Sequence, residues 1–404
     1  MRSRSQAGFT LIELLVTSFV LVVLVLAVLA MFDFAARMSR AQTELANLQQ
    51  AQRIAQHELV RMVRMAGRGG LLPAAALVLR NDRPADDPIL TGGGSGVPRV
   101  AEHSDVMIIR GIFTGELFQL DTTDPTAFTY DAANNTGTLT LRSVSSSGVP
   151  QDVAQIEDVL ADEDDVPEAL LIVSAVDDNA YAVVELDPAV PVAVTVDETT
   201  VPATRSVTFG FLAQNAAGGR NTNAYGALSS VTLASPQMQS VAYAGVLEEY
   251  RFYVREQAAQ AGVPGSGRAL ELARARVYPG TELAYRGEDS NLSLTVAENI
   301  LDLQASFGVD QDADGIYEEG ESVTDKKNDD WGFNVAGDVP PIGAPAFVRL
   351  TTVARSDRPD PAHEADLLAD VEDRVYAGDA LNASRIERLY RRWPLQSLID
   401  LRNM

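Results

Sequence analysis

The 404-residue chain contains no cysteine. It can build no disulfide framework, and it offers neither a thiolate nucleophile nor a cysteine zinc site. Histidine is scarce: His57, His103 and His363 stand far apart, with no spacing that sets up a metal-ligand pair. Positive charge is in deficit, with 32 Lys and Arg against 56 Asp and Glu and a net charge of −24. That balance argues against nucleic acid and other polyanions as partners. No G-x-S-x-G elbow, phosphate-binding loop or dinucleotide fingerprint occurs, and carboxylates are too numerous for any pair to stand out as acid and base. A non-enzymatic protein is expected. No repeat of fixed period is visible.

Proline is absent before Pro73, and that absence shapes the first sixth of the chain. From Phe9 to Ala66 nothing interrupts a helix, which at 1.5 Å per residue would be about 85 Å long. Its first half, 9–34, is apolar almost without break and long enough to cross a bilayer core, which needs about 20 such residues. The polar leader Met1 to Ala7 carries Arg2 and Arg4 and no acid, a cytoplasmic flank by the positive-inside rule. One residue breaks the pattern. Glu13 lies inside the apolar run, where an ionisable group costs about 3 kcal/mol on insertion scales, so it needs a partner and a task. An ordinary secretory signal does not fit, because the apolar run is too long and lacks an A-x-A-like end. A plain signal anchor explains the basic leader but leaves Glu13 without a reason.

Beyond Phe34 the helix turns amphipathic over 35–67. Met38, Ala41, Leu45, Leu48, Ala55, Leu59, Met62 and Ala66 recur at 3/4 spacing, with Gln52 as a polar intruder, and this stripe is expected to pack on the following domain. Gly67, Gly69, Gly70 and Pro73 end the helix.

The N-terminal run Gly8-Phe9-Thr10-Leu11-Ile12-Glu13 resembles the processing signal of type IV pilins and type II secretion pseudopilins. The resemblance implies that a prepilin peptidase cuts between Gly8 and Phe9, methylates the new amino terminus, and leaves Glu13 fifth in the mature chain. Loss of Arg2 and Arg4 would take the net charge to −26. It further implies that Glu13 meets the α-amino group of a neighbouring pilin during assembly, so that two desolvated charges are removed together. The implied location is the bacterial inner membrane with a periplasmic head, then a pilus filament at the cell surface.

The remainder, 71–404, exceeds the head expected of a major pilin and leans toward a low-copy subunit. It could by length hold one large β-rich domain or two smaller ones. Strand-like runs recur at Asp105–Ile112, Gly137–Arg142, Ala169–Ala175, Ala180–Leu186, Ser206–Leu212, Tyr250–Val254 and Phe347–Val353. Short helical candidates lie at Asp366–Asp373 and Ser384–Arg391. The expected fold is α+β: a long N-terminal helical stem packed on a mainly antiparallel β head. Segments at His103–Arg110, Ala297–Gln304, Phe307–Asp310 and Leu401–Asn403 resemble PilW-type minor pilins, whereas about 121–246 resembles nothing recognised. The resemblance implies a minor pilin at the tip or in the initiation complex. A type II secretion pseudopilin, a calcium-dependent adhesin on a pilin stem and a simple membrane-anchored binding protein are the alternatives.

Asp310-Gln311-Asp312-Ala313-Asp314-Gly315 through Glu321 fits D-x-D-x-D-G-x₅-E at every defined position. Asp310, Asp312 and Asp314 would ligate by side chain, Ile316 by its carbonyl, Glu318 directly or through water, and Glu321 in bidentate fashion. Without a cation these carboxylates would repel one another. A structural Ca²⁺ is expected in preference to Mg²⁺, which demands octahedral geometry and keeps its waters. The period-two run Leu301, Leu303, Ala305, Phe307 places the loop after a strand, which argues against an EF-hand switch. An acidic β-turn without metal is the bland alternative.

Overall fold

A computed structural model describes residues 10–83, 99–115, 117–120, 122, 124, 126–142, 168–187, 189–197, 199, 204–212, 228–257, 269–281, 293–310, 315–318, 330–334, 343–360 and 364–401. The stem is a single helix, α1 (Leu11–Met65), of 55 residues. Its start is fixed by Thr10 as N-cap in a reciprocal capping box with Glu13. Its end is fixed by backbone that only glycine adopts easily. At Gly69 φ is +105°, and a Cβ there would come within 2.7 Å of the Ile112 side chain. The chain can therefore turn back tightly onto the first sheet.

The expected stripe is real only from its middle onward. Leu48, Gln52, Ala55, Gln56, Leu59, Met62 and Val63 are buried, whereas Met38 and Leu45 remain exposed. Burial against the head begins at Leu48, about one turn past Leu45, so the earlier residues of the stripe are not enclosed by it.

Among the described residues the head consists of four sheets, all paired antiparallel. The first sheet has β1 (Leu77–Arg80), β3 (Val106–Gly111), β12 (Glu248–Gln257), β13 (Ala269–Val277) and β14 (Ser293–Glu298) in that order, with β2 (Arg99–Val100) added to β12. The second contains β5 (Phe128–Asp131), β6 (Thr136–Arg142), β10 (Thr204–Gly210) and β9 (Ala193–Asp197). The third contains β4 (Phe118–Gln119), β11 (Val241–Val246), β7 (Ala169–Ser174) and β8 (Tyr181–Glu185). The fourth contains β16 (Trp331–Gly332), β15 (Ile300–Gly308), β17 (Phe347–Arg355) and β18 (Arg392–Asp400). The fold is thus α+β, with the long apolar helix preceding a head rich in antiparallel sheet.

Two main cores divide the head. The stem-side core gathers Leu59, Met62 and Val63 of α1 with Met107, Phe252, Leu272, Leu303 and Leu350. The distal core is built from the region that resembled nothing, including Phe128, Leu139, Leu141, Val207 and Phe209. The strands β7 and β8 serve both. Leu171, Val173, Tyr181 and Val183 face the stem-side core, while the intervening Leu170, Ile172 and Ala182 face the distal one. Burial on both faces explains why β7 reads as the unbroken run Ala-Leu-Leu-Ile-Val.

Two helical expectations fail. Asp366–Asp373 is irregular, and Ser384–Arg391 contains only the 3₁₀ turn Glu387–Leu389. Side-chain anchors organise this stretch instead: Asp370 accepts from the Tyr376 amide at 2.9 Å, and Asn382 bonds both Leu368 backbone groups. Pro394, an apparent obstacle inside β18, sits where no ladder bond is lost. The amide of Leu401 and the carbonyl of Arg391 reach toward β17, so odd residues pair inward and the nitrogen of Pro394 faces the open edge.

Candidate functional site

The first candidate is the stem itself. From Thr10 to Arg40 every residue is exposed, and among the described residues α1 is long and apolar enough to cross a membrane. Glu13 sits in the first turn, where the helix dipole favours negative charge. Its Oε2 accepts from the Thr10 amide and from the Thr10 hydroxyl, both at 3.0 Å. The cap thus engages one carboxylate oxygen, and Oε1 keeps its lone pairs for a second donor. Gly8 and Phe9 lie outside the described residues.

The stem meets the head through polar as well as apolar groups. Gln52 donates from Nε2 to the carbonyls of Thr352 (3.1 Å) and Trp393 (2.9 Å). One turn further, Gln56 donates from Nε2 to the Thr352 hydroxyl at 3.0 Å and to the Leu395 carbonyl at 2.9 Å. On the flank, Glu58 accepts from Arg61 of its own helix and from Arg274 of β13, each at 2.7 Å. These bonds fix both the rotation and the height of the stem on the sheet.

The second candidate is the acidic loop. It leaves the end of β15 and returns to β16, which pairs with Phe307 and Gly308, so it connects strands as expected. Asp310 Oδ2 accepts from the Gly315 amide at 3.0 Å, folding the chain over at a residue with φ of +81°. Asp310 Oδ1 is buried without a hydrogen-bond partner among the described residues. The Glu318 amide and carbonyl are held by Asp330 at 3.1 and 3.0 Å, and the Ile316 side chain is exposed. Asp312, Asp314 and Glu321 lie outside the described residues. Among the described residues no group of three or more acidic, histidine or cysteine side chains is placed to hold a metal.

Sequence reasoning missed a buried ionic network beneath the C-terminal stretch. Residues Asp302, Gln304 and Ser306 of β15 are as buried as their apolar neighbours. Asp302 pairs with Arg374 at 2.8 Å and accepts from the Tyr376 hydroxyl. Asp105, fully buried, accepts from the amides of Asp82 (3.0 Å) and Ala305 (2.8 Å). Burial, with Asp373 and Asp302 nearby, drives the Asp105 carboxyl well above its ordinary value. Burial also raises Asp373 to about 6, against the bond from Asn81 and with help from Asp82 and Glu372. A second network centres on Glu249, wholly buried between Arg110 (2.7 Å) and Arg251 (2.8 Å) and bonded to the Gly280 amide at 2.7 Å. Burial alone would raise this carboxyl, but the two guanidiniums and the amide hold it below its usual value. The sequence signal was the alternation of polar Asp302, Gln304 and Ser306 along β15. Partners such as Arg374 for Asp302, Arg110 for Glu249 and Ala305 for Asp105, which lie 72, 139 and 200 positions away, are invisible to it.

A helix able to span a membrane, rooted by its second half in a β-rich head, defines a class of membrane-anchored stem-and-head proteins. Residues 3–29 match the family model of the prokaryotic N-terminal methylation motif. That motif indicates a type IV pilin-like or pseudopilin protein, a class processed by prepilin peptidase, assembled with other pilins and structural rather than catalytic. No curated protein and no solved structure matches the chain.

Proposed function

We propose that this protein is a PilW-like minor pilin that enters a type IV pilus at its tip or in its initiation complex and supports pilus biogenesis. The observation that carries the reading is the divided stem: residues 10–40 wholly exposed and apolar apart from Glu13 and the border charges, the remainder locked into the head. An exposed apolar helix of this kind is satisfied by lipid before assembly and by other stems afterward. Cleavage between Gly8 and Phe9 would place an ammonium beside Thr10, one turn from Glu13. The carboxylate would then accept a neighbour's ammonium on Oε1 while Oε2 keeps its own cap. Charge registry of this sort is a well-attested use of a buried ion pair. The leader's arginines orient the head to the periplasm. The large head, with its second core, supports a low-copy position over a repeating one.

Glu13→Val should leave processing intact, read as a methylated Phe9 by mass spectrometry, and should abolish incorporation into sheared filaments. Normal incorporation would remove this account of the carboxylate. A type II secretion pseudopilin would share the same stem. Co-purification of the chain with secretion-system filaments rather than pili would select that reading.

Calcium binding at residues 310–321 is part of the proposal. Asp310, with a buried Oδ1 unpartnered among the described residues, fits a hard cation, and Asp312, Asp314, the Ile316 carbonyl, Glu318 and Glu321 would complete an oxygen shell. The ion would pin a strand connection in a head without disulfides and neutralise the crowded carboxylates. Calcium should raise the melting temperature of the protein, and Asp312→Ala with Asp314→Ala should abolish the shift. A wild-type chain indifferent to calcium and to chelator would refute the site. Its display on a stem also suits adhesion, which predicts lost attachment with intact filaments on deletion.

A further inference from the structure

Just beyond the last apolar turn of α1, the stem and the head together form a groove of about 720 Å³. Arg37, Arg40 and Glu44 line it from the helix, and Arg358 and Asp360 line it from the segment after β17. Of its lining residues three are arginines and two are carboxylates, with Asp33 and Asp357 beside Arg37 and Arg358 and with Asp360 accepting from Arg391 at 3.2 Å. Arg37 pairs with Asp33 at 2.7 Å. The Arg358 guanidinium pairs with its neighbour Asp357 at 3.8 Å, and its side chain is 81% exposed. Arg40 is exposed, with no ion-pair or hydrogen-bond partner among the described residues.

Depth decides what this groove meets. Phe34 ends the nearly unbroken apolar half of the stem, with Met38 also exposed one turn further on. Along the helix axis Arg37 lies about 5 Å beyond Phe34 and Arg40 about 9 Å. Helical side chains lean toward the N-terminus, here back toward the membrane, and arginine can extend along that direction while keeping its charge in the polar layer. The headgroup layer is roughly 5–7 Å thick on each side of the core. The helix arginines therefore reach the layer where phosphates lie, and Arg358 brings the head to the same level. Guanidinium groups bind phosphate in planar, paired geometry that ammonium groups cannot copy.

We propose that this groove is a binding site for the phosphate headgroup of an anionic phospholipid, gripped jointly by Arg37 and Arg40 of the stem and Arg358 of the head. The inference rests on membrane insertion of the stem and adds to it a lipid preference. A lipid so held sets the height of the head above the bilayer before the subunit is drawn into a filament. Leaving the membrane would require giving it up.

The test uses the full chain in nanodiscs of equimolar phosphatidylcholine and phosphatidylglycerol, with retained lipids counted by native mass spectrometry. Wild type should retain phosphatidylglycerol in excess. Arg40→Gln and Arg358→Gln should each reduce that excess roughly fivefold, whereas Arg64→Gln, higher on the stem, should not change it. Equal retention of both lipids by wild type, or an unchanged excess in a double variant carrying both Arg40→Gln and Arg358→Gln, would overturn the proposal. Displacement of the lipid by millimolar inorganic phosphate would show a free-anion pocket and overturn it too. If the double variant keeps its lipid excess but fails to enter filaments, the groove belongs to a neighbouring subunit. A chain that does not enter the disc at all fails the membrane reading instead, so the two failures are distinct.

Discussion

The substitution Gln52→Glu exchanges the amide nitrogen for an oxygen and should open the stem–head joint. In the native protein the Gln52 amide donates two hydrogen bonds, to the Thr352 and Trp393 carbonyls, from a position only 2% exposed. Both carbonyls also belong to the β17–β18 ladder, so neither becomes an orphan when the amide goes. The direct loss is then about 1 kcal/mol for each bond, or about 2 kcal/mol. The new side chain would add a carboxylate facing two carbonyl dipoles without a counter-ion, bringing the total to about 4 kcal/mol at neutral pH. That is near a thousandfold in the folding equilibrium. The pH dependence separates this account from a generic packing defect. Burial raises the new carboxyl in the folded state above its unfolded value of about 4.3. Such a group stabilises fully below the unfolded value and loses that contribution as pH rises. Protonated, it can still donate one of the two bonds, so the deficit should shrink to about 1–2 kcal/mol near pH 4. Urea unfolding in detergent can follow Trp393, whose carbonyl is an acceptor, after Trp331→Phe removes the second of the two tryptophans. A deficit below about 1 kcal/mol at pH 7.5, or one equal at both pH values, would refute the reasoning.

Two further outcomes follow from the buried networks. Glu249→Gln leaves Arg110 and Arg251 buried without their shared counter-ion and should destabilise the head by about 3–5 kcal/mol in chemical unfolding; a loss under about 1 kcal/mol would mean the arginines find other partners. Asp373, raised to about 6, contributes stability that is fully present below its unfolded value and is lost as pH climbs through 6. Amide exchange at 364–383, corrected for intrinsic rate, should therefore be slower at pH 5 than at pH 7, and Asp373→Asn should remove the difference.

The parts of this protein legible in its sequence are those governed by local rules. The stem could be read because a proline-free apolar run and a glycine cluster leave the backbone no other choice, and β3, β6, β7 and β17 because their apolar and β-branched runs, alternating or unbroken, are local. Gln52 could be seen as an intruder but not explained, since its acceptors lie 300 and 341 residues away. The upper stripe at Met38 and Leu45 misled, because amphipathic spacing records a face without recording how far the partner extends. Asp366–Asp373 misled for the opposite reason: helical spacing gave way to anchors at Asp302, Asn382 and Arg374 that only the folded head supplies. At the candidate sites, Glu13 and the acidic loop were legible as motifs. The groove at Arg37, Arg40 and Arg358 was not, since it exists only once the chain returns to the stem 318 positions after Arg40.

The strands β7 and β8, shared by both cores, have a mechanical consequence. A head made of two bodies on a linker would swivel, and a load on its far end would be spent in bending the joint. Here any displacement of the distal core drags Leu170 and Ile172, and with them Leu171 and Val173 on the opposite face of the same backbone. Those residues bear on the core that grips the stem. Torque applied at the distal core thus reaches α1 directly through β7 and β8, as through a lever cut from one piece.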